Sequence, residues 1–281
     1  MSLFTAMLVG LAYVFAYAQN APPEGYLIMA LLISTGSALF SYYAGDKVAL
    51  STSGAYMIGK DENPYLYRMV ENLSIATGLP VPKVYIMNDP TINAFATGRS
   101  PEHASIAVTT GAIEKLNNEE LEGVIAHELS HVKNYDTRFL MMTAVLVGAI
   151  SILANFFLRS SSWLGSRRSD KEGGEARGII MIVGLVLALL SPFVAELIKL
   201  AVSRKREFLA DASGALATRY PEGLAGALEK IAAEGGKMQH ASEATAHLYF
   251  SNPFGSSKFR SFFSTHPPLE ERIKRLREMG V

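Results

Sequence analysis

Hydrophobic positions gather into four long runs, and polar stretches of soluble character separate them. Residues 3–18 and 26–43 carry no charge and no polar face, with the polar break Gln19-Asn20-Ala21-Pro22-Pro23-Glu24-Gly25 between them. Each is near the lower end of the ~17–25 apolar residues that cross a bilayer as a helix. Together they predict a membrane hairpin whose chain turns back after Tyr43. A third run, residues 139–158, has no charge and a single Asn. The fourth, residues 178–202, contains Pro192, which predicts a kink, and Glu196 and Lys199, spaced to pair on one helix face. Residues 159–177 between them are rich in Ser, Gly and charge and read as a linker. Spans three and four have a competing reading as core helices of a soluble protein.

The stretches between these runs predict compact soluble structure. Asn63-Pro64 is a helix start and Gly78 a helix stop, giving a helix through Ala76. Three short β-prone runs follow, residues 83–87, 93–97 and 105–109, separated by Pro, Asn and Gly. They predict a small sheet. Asn117 and Asn118 offer N-caps to the next helix, whose first turn is acidic at Glu119, Glu120 and Glu122 and whose apolar face is Leu121, Val124, Ile125, Leu129 and Val132. A further helix is expected over residues 222–233, and the chain closes on a basic amphipathic one. The expected organisation is therefore an N-terminal transmembrane hairpin over 1–45, a soluble part over 46–138, a second hairpin over 139–202 with the linker 159–177, and a second soluble part over 203–281.

Composition sharpens this picture. Among 281 residues 49% are hydrophobic and 19% charged, below the ~25% charged residues usual for soluble chains, and mean hydropathy is +0.19. Lysine and arginine balance aspartate and glutamate at zero net charge, with no basic arm, which argues against nucleic acid as a partner. There is no cysteine, so neither disulfides nor thiolate metal sites are available. Ala16-Tyr17-Ala18 resembles a signal-peptidase site, but no Lys or Arg precedes the apolar run and a second run follows almost at once, so a retained anchor is expected. Around the soluble parts Lys47, Lys60, Lys133, Arg138, Arg204, Lys205, Arg206 and Arg219 outnumber Arg159, Arg167, Arg168, Lys171 and Arg177 of the linker. The positive-inside rule then sets the soluble parts in the cytoplasm.

The chemistry concentrates at His127-Glu128-Leu129-Ser130-His131, an H-E-x-x-H pattern. Histidines four apart on a helix share one face and can converge on one metal ion, with Glu128 beside them to take a proton from water. A catalytic zinc needs a third protein ligand. Glu207 suits that role, and Asp211, one turn further on, can accept the remote N–H of a ligating histidine. The plainer alternative is that both carboxylates neutralise Arg204 and Arg206 on a helix surface. Residues 54–61 fall one hydroxyl short of a P-loop, with Asp61 at the position that would bind Mg²⁺, and read as a chance match. His103, His240 and His247 have no metal spacing and read as surface or loop residues.

The ordered set H-E-L-S-H, then Arg206-Glu207-Phe208-Leu209-Ala210-Asp211, the N-terminal hairpin, the two later apolar runs, Asn93-Ala94-Phe95-Ala96-Thr97-Gly98 and the terminal His266-Pro267-Pro268-Leu269-Glu270-Glu271-Arg272 resembles the HtpX family of membrane zinc proteases, related to the prenyl-protein (CAAX-type) proteases. The resemblance covers essentially the whole chain. It implies a mainly α fold with a small β-sheet, about four transmembrane helices and a gluzincin-like zinc metalloprotease domain. It implies one Zn²⁺ per chain on His127, His131 and Glu207, with Glu128 as general base. Asn93 and Ala94 are implied to lie on an edge strand that pairs with extended substrate, and His266 and Arg272 to stabilise the oxyanion. The implied activity is hydrolysis of misfolded or damaged membrane proteins at the plasma (inner) membrane, in a stress response, with polypeptides and the lipid bilayer as partners. Two other readings are a selective processing protease of the prenyl-protein type and a catalytically silent scaffold that binds unfolded segments.

Overall fold

The computed structural model describes residues 2–18, 21–143, 203–234, 236–241, 245–254 and 267–279. The expected spans three and four and their linker fall on residues 144–202, outside the described residues, apart from the first residues of span three. Helix α1 runs Ser2–Ala18 and α2 runs Pro23–Thr52. The second departs from expectation: it does not stop near Tyr43 but continues as one helix of 30 residues through Asp46 and Lys47, about 45 Å at 1.5 Å per residue. No Pro interrupts that stretch, and Gly45 within it stays helical. The physical reason for the extension lies in its last turns, where Ala49 and Leu50 bury their side chains against Met87 and Phe95. Among the described residues α2 is the one helix long and apolar enough to cross a membrane. Ile28, Leu32, Leu39 and Phe40 stand exposed along it.

The described residues fall into two compact units, one holding α1 and α2 as far as Tyr43, the other beginning at Ala44. The second unit contains the strands β1 (Ala55–Met57), β2 (Lys83–Met87), β3 (Ala94–Thr97) and β4 (Ser105–Thr109). Their order is β1-β2-β4-β3, with β2 and β4 parallel and the outer pairs antiparallel, so β3 is an edge. Strand β1 came from the stretch read as a chance P-loop match; three residues are too few for a period-2 pattern to register, and pairing with β2 holds them.

Helix α3 (Pro64–Thr77) begins where Asn63 accepts the Leu66 amide and ends at Gly78, whose φ of 72° is the left-handed cap conformation. After the short α4 (Thr110–Lys115) comes α5 (Asn118–Lys133), opened by a capping box in which Asn117 and Glu120 each accept the other's backbone N–H. Lys230, from the later helix α7 (Pro221–Glu234), reaches the same Glu120 carboxylate at 2.6 Å. Residues 136–143 are helical, and α6 (Arg204–Thr218), α7 (Pro221–Glu234) and α8 (Leu269–Glu278) complete the unit.

The core joins Leu66, Val70 and Leu73 of α3, Val84, Ile106 and Val108 of the sheet, Leu121, Val124, Ile125 and Leu129 of α5, and Leu224 and Leu228 of α7. Two glycines let the helices approach α5 closely. A Cβ on Gly123 would stand 2.8 Å from the Leu224 nitrogen, and one on Gly214 would stand 3.0 Å from the His127 nitrogen. The second approach lays α6 against the turn of α5 that carries the first histidine.

Candidate metal centre

Helix α5 is buried along nearly its whole length, so its polar side chains need internal partners. His127 and His131 point their Nε2 atoms at one another, 3.1 Å apart. Glu207, on the first turn of α6, brings Oε1 to 3.5 Å from His131 Nε2 and Oε2 to 3.9 Å from His127 Nε2. Tetrahedral ligands at about 2.0–2.2 Å from a zinc ion stand roughly 3.3–3.5 Å apart. Three donors from α5 and α6 therefore surround a point suited to a metal ion, and all three residues are buried.

The far side of each ring is also committed. His127 Nδ1–H donates to Asp211 Oδ1 at 2.9 Å, the partner expected from the Glu207–Asp211 spacing. His131 Nδ1–H donates to Asp136 Oδ2 at 3.1 Å. Both rings thereby turn Nε2 toward the shared point, where the neutral imidazole offers a metal its lone pair. Asp136 was not singled out in the sequence; its one legible sign is a carboxylate five residues past the second histidine, just beyond the helix end. Arg206, which the alternative reading made a surface counter-ion of Glu207 and Asp211, bonds Asp136 Oδ1 at 3.0 Å.

Arg272 is fully buried. Its Nε and Nη2 donate to the two oxygens of Asp211 at 2.9 and 2.7 Å, while Nη1 is 3.7 Å from Glu207 Oε2 with no hydrogen-bond partner among the described residues. Phe250 lies beneath that guanidinium and edge-on to His127, with ring centroids 4.9 Å apart. His266 lies outside the described residues.

Charge supports the same reading of the donors. Glu128, Glu207, Asp211 and Asp136 are all buried, with the Arg272 guanidinium beside Glu207 and Asp211 and the Arg206 guanidinium on Asp136. A divalent cation at the point where these carboxylates gather would add positive charge where they are buried. Burial pushes His127 down to about 4, although Asp211 opposes the shift. Burial also works against the charged form of His131, but its bond to Asp136 and the charges of Glu207 and Glu128 raise it to about 9. Burial works against the Asp211 carboxylate too, and Arg272 outweighs it, bringing that group to about 2.

The raised His131 value has a sign that can be measured. Protonation of the metal-free fold stabilises it below pH ~6.5, and that contribution is lost as pH rises through about 9. A metal ligand must be neutral, so metal uptake displaces this proton. Apparent zinc affinity should rise about tenfold per pH unit from pH 6.5 and flatten near about 9. Chelator-competition titrations across that range check it; a flat profile would contradict a proton on His131.

Glu128 is buried beside the two rings, and its Oε2 accepts the Ala96 amide of β3 at 2.8 Å. Ala94 opens the same edge strand, and Asn93 immediately precedes it with its own carbonyl accepting the Thr109 amide of β4. The Asn93 side chain donates to the Ser251 carbonyl at 3.1 Å and accepts the Ser251 amide at 3.1 Å, and the Ala94 carbonyl accepts the Phe250 amide at 2.8 Å. Residues 250–251 thus lie along the edge at those two positions. His247, expected at a surface or in a loop, is buried in a single 3₁₀ turn and donates from Nε2 to the Leu140 carbonyl at 3.0 Å. His103 and His240 are exposed.

The model of peptidase family M48 matches residues 60–280. The chain is 49% identical over 255 residues to a protein of Tropheryma whipplei (strain Twist) described as "Protease HtpX homolog", covering 91% of this chain and 86% of that one. It is 45% identical over 288 residues to a protein of the same description from Pyrococcus furiosus, covering 100% of this chain and 95% of the other. Among solved structures it is similar to S. mikatae Ste24p, with a TM-score of 0.53 at 20% identity, over 98% of this chain. The chain spans 64% of the length of that solved chain, and the likeness concerns the fold.

Proposed function

The chain belongs to peptidase family M48, and on that premise we propose that it is a membrane-anchored zinc endopeptidase that cuts misfolded or damaged membrane proteins. The observation that carries this reading is the convergence of His127 Nε2, His131 Nε2 and Glu207 on one point, with Glu128 on the same helix. Their donor set, two imidazoles and a carboxylate, suits one zinc per chain. The proposed organisation keeps two soluble parts, 46–138 and 203–281, around a second hairpin over 139–202, with the active site on the cytoplasmic side of the plasma membrane. The exposed apolar side chains of α2 support contact with lipid.

A bound zinc supplies Lewis-acid polarisation of the scissile carbonyl and makes water more acidic. Glu128 takes the proton from the attacking water and delivers it to the leaving nitrogen. Asp211 holds His127 in the tautomer that keeps Nε2 free. Arg272, whose Nη1 has no hydrogen-bond partner among the described residues, is the proposed donor to the oxyanion together with His266. Substrate adds as a strand to the outer edge of β3. At Asn93 and Ala94 this is an exchange, in which the incoming main chain replaces Ser251 and Phe250. Such recognition reads backbone, which fits substrates of varied sequence.

The experiment is cleavage of an unfolded membrane protein by the full chain purified in detergent, before and after metal removal. The expected result is interior cleavage that a chelator abolishes and stoichiometric zinc restores. Zinc-loaded protein that binds unfolded substrate and leaves it intact would overturn the enzyme reading in favour of a scaffold.

A further inference from the structure

Two features of the centre are left over once the ligands and the base are assigned. The first is a backbone outlier. Helix α5 ends at Lys133, and Tyr135 then adopts φ 59°, the left-handed region that a bulky side chain rarely enters. That reversal starts the helical residues 136–143 directly below the second histidine and delivers Asp136 to the back of its ring. Strain kept at a single position is a sign that what it positions matters. The second is Arg206. It is adjacent to Glu207 on α6, its guanidinium bonds Asp136, and it also lies over the Phe139 ring at 5.1 Å.

We propose that Asp136 and Arg206 are a positioning pair that sets both His131 and Glu207 for metal binding. Asp136 uses one oxygen to hold the His131 ring and the other to hold Arg206, so a single buried carboxylate joins the C-terminal end of α5 to the N-terminal end of α6. The arrangement repeats the one around His127, where Asp211 takes the ring and Arg272 takes Asp211. Each metal-facing histidine is thus backed by a carboxylate and each carboxylate by an arginine. The two relays differ in origin. Asp211 and Arg272 come from α6 and α8, whereas Asp136 follows its own histidine in sequence and reaches across to the residue beside the third ligand. Losing Asp136 therefore frees a ring and loosens the register of α6 together. Losing Arg206 loosens the register alone.

The inference rests on His127, His131 and Glu207 being the metal ligands, and the test separates the two. Zinc affinity is measured by chelator competition for wild type, Asp136→Asn and Arg206→Gln, with the melting temperature of each metal-free protein and the visible spectrum of each cobalt-substituted one. Wild type that takes up no zinc overturns the ligand assignment. Given zinc binding by wild type, Asp136→Asn should bind about 10–100-fold more weakly, and its cobalt spectrum should change. Arg206→Gln should fall between Asp136→Asn and wild type, and Arg206→Lys should recover part of the loss. Arg206→Gln should leave the metal-free melting temperature close to that of wild type, whereas Asp136→Asn should lower it, because it removes a buried charged partner of both His131 and Arg206, and affinities are compared where each metal-free protein is folded. Wild-type zinc binding with Asp136→Asn within twofold of it overturns the inference. The Arg206 side chain is 40% exposed, so Arg206→Gln tests the pair should Asp136→Asn fail to fold, and affinity equal to wild type there overturns it equally.

Discussion

Glu128→Gln should lower the rate of peptide cleavage by about 10²–10⁴-fold, the range for losing a general base, and leave the zinc content unchanged. The two halves of that result come from different atoms. The metal-facing donors are His127 Nε2, His131 Nε2 and Glu207, and Glu128 is not among them. Its Oε2 accepts the Ala96 amide, and a glutamine oxygen of the same shape keeps that bond. The amide cannot take the proton of an attacking water, so turnover is lost from an otherwise intact site. Single-turnover cleavage and metal analysis on the same preparation check both halves. A rate within tenfold of wild type would remove Glu128 from the role of base. Loss of zinc from the variant would mean that the carboxylate helps hold the ion.

Glu207→Gln should have the opposite signature, with zinc and activity lost together. Glu207 is the one ligand that α6 contributes, and the amide is a much weaker donor to a divalent ion than a carboxylate. It also takes one negative charge from a site where buried carboxylates gather, which further disfavours a dication. The loss should exceed the ~10–100-fold typical of a partner behind a ligand, the size expected for Asp136→Asn. Thermal melts with and without zinc make this visible. A ligand present at 1,000 times its dissociation constant stabilises the fold by about 4 kcal/mol, and the zinc-dependent part of that shift should vanish in the variant. A zinc-dependent shift equal to wild type would show that another residue completes the site.

The parts of this protein that its sequence determined are those with a local physical cause. The i, i+4 spacing of His127 and His131 sets them on one helix face whatever surrounds it. The Asn117–Glu120 capping box, the Asn63 cap with Pro64 behind it and the left-handed stop at Gly78 each act within a few residues, and the helices begin and end beside them. Strands β2 and β4 carry enough alternating and β-branched character to be found alone. The same four-residue spacing set Glu207 and Asp211 on one helix face, but that Asp211 backs His127 is visible only in the fold.

What only the tertiary structure decided is which distant groups meet. Strand β1 is too short to declare itself and exists because β2 offers it partners. Helix α2 continues to Thr52 because Ala49 and Leu50 find the sheet. Arg206 has Glu207 beside it and Asp211 close behind in sequence, yet it pairs with Asp136, seventy positions away. Arg272 spends two of its nitrogens on Asp211, and Phe250 and Ser251 lie on the β3 edge at Asn93 and Ala94. Side chains choose partners by the distances that packing leaves between elements. That packing depends on close approaches such as Gly214 against His127, which no local pattern of residues encodes.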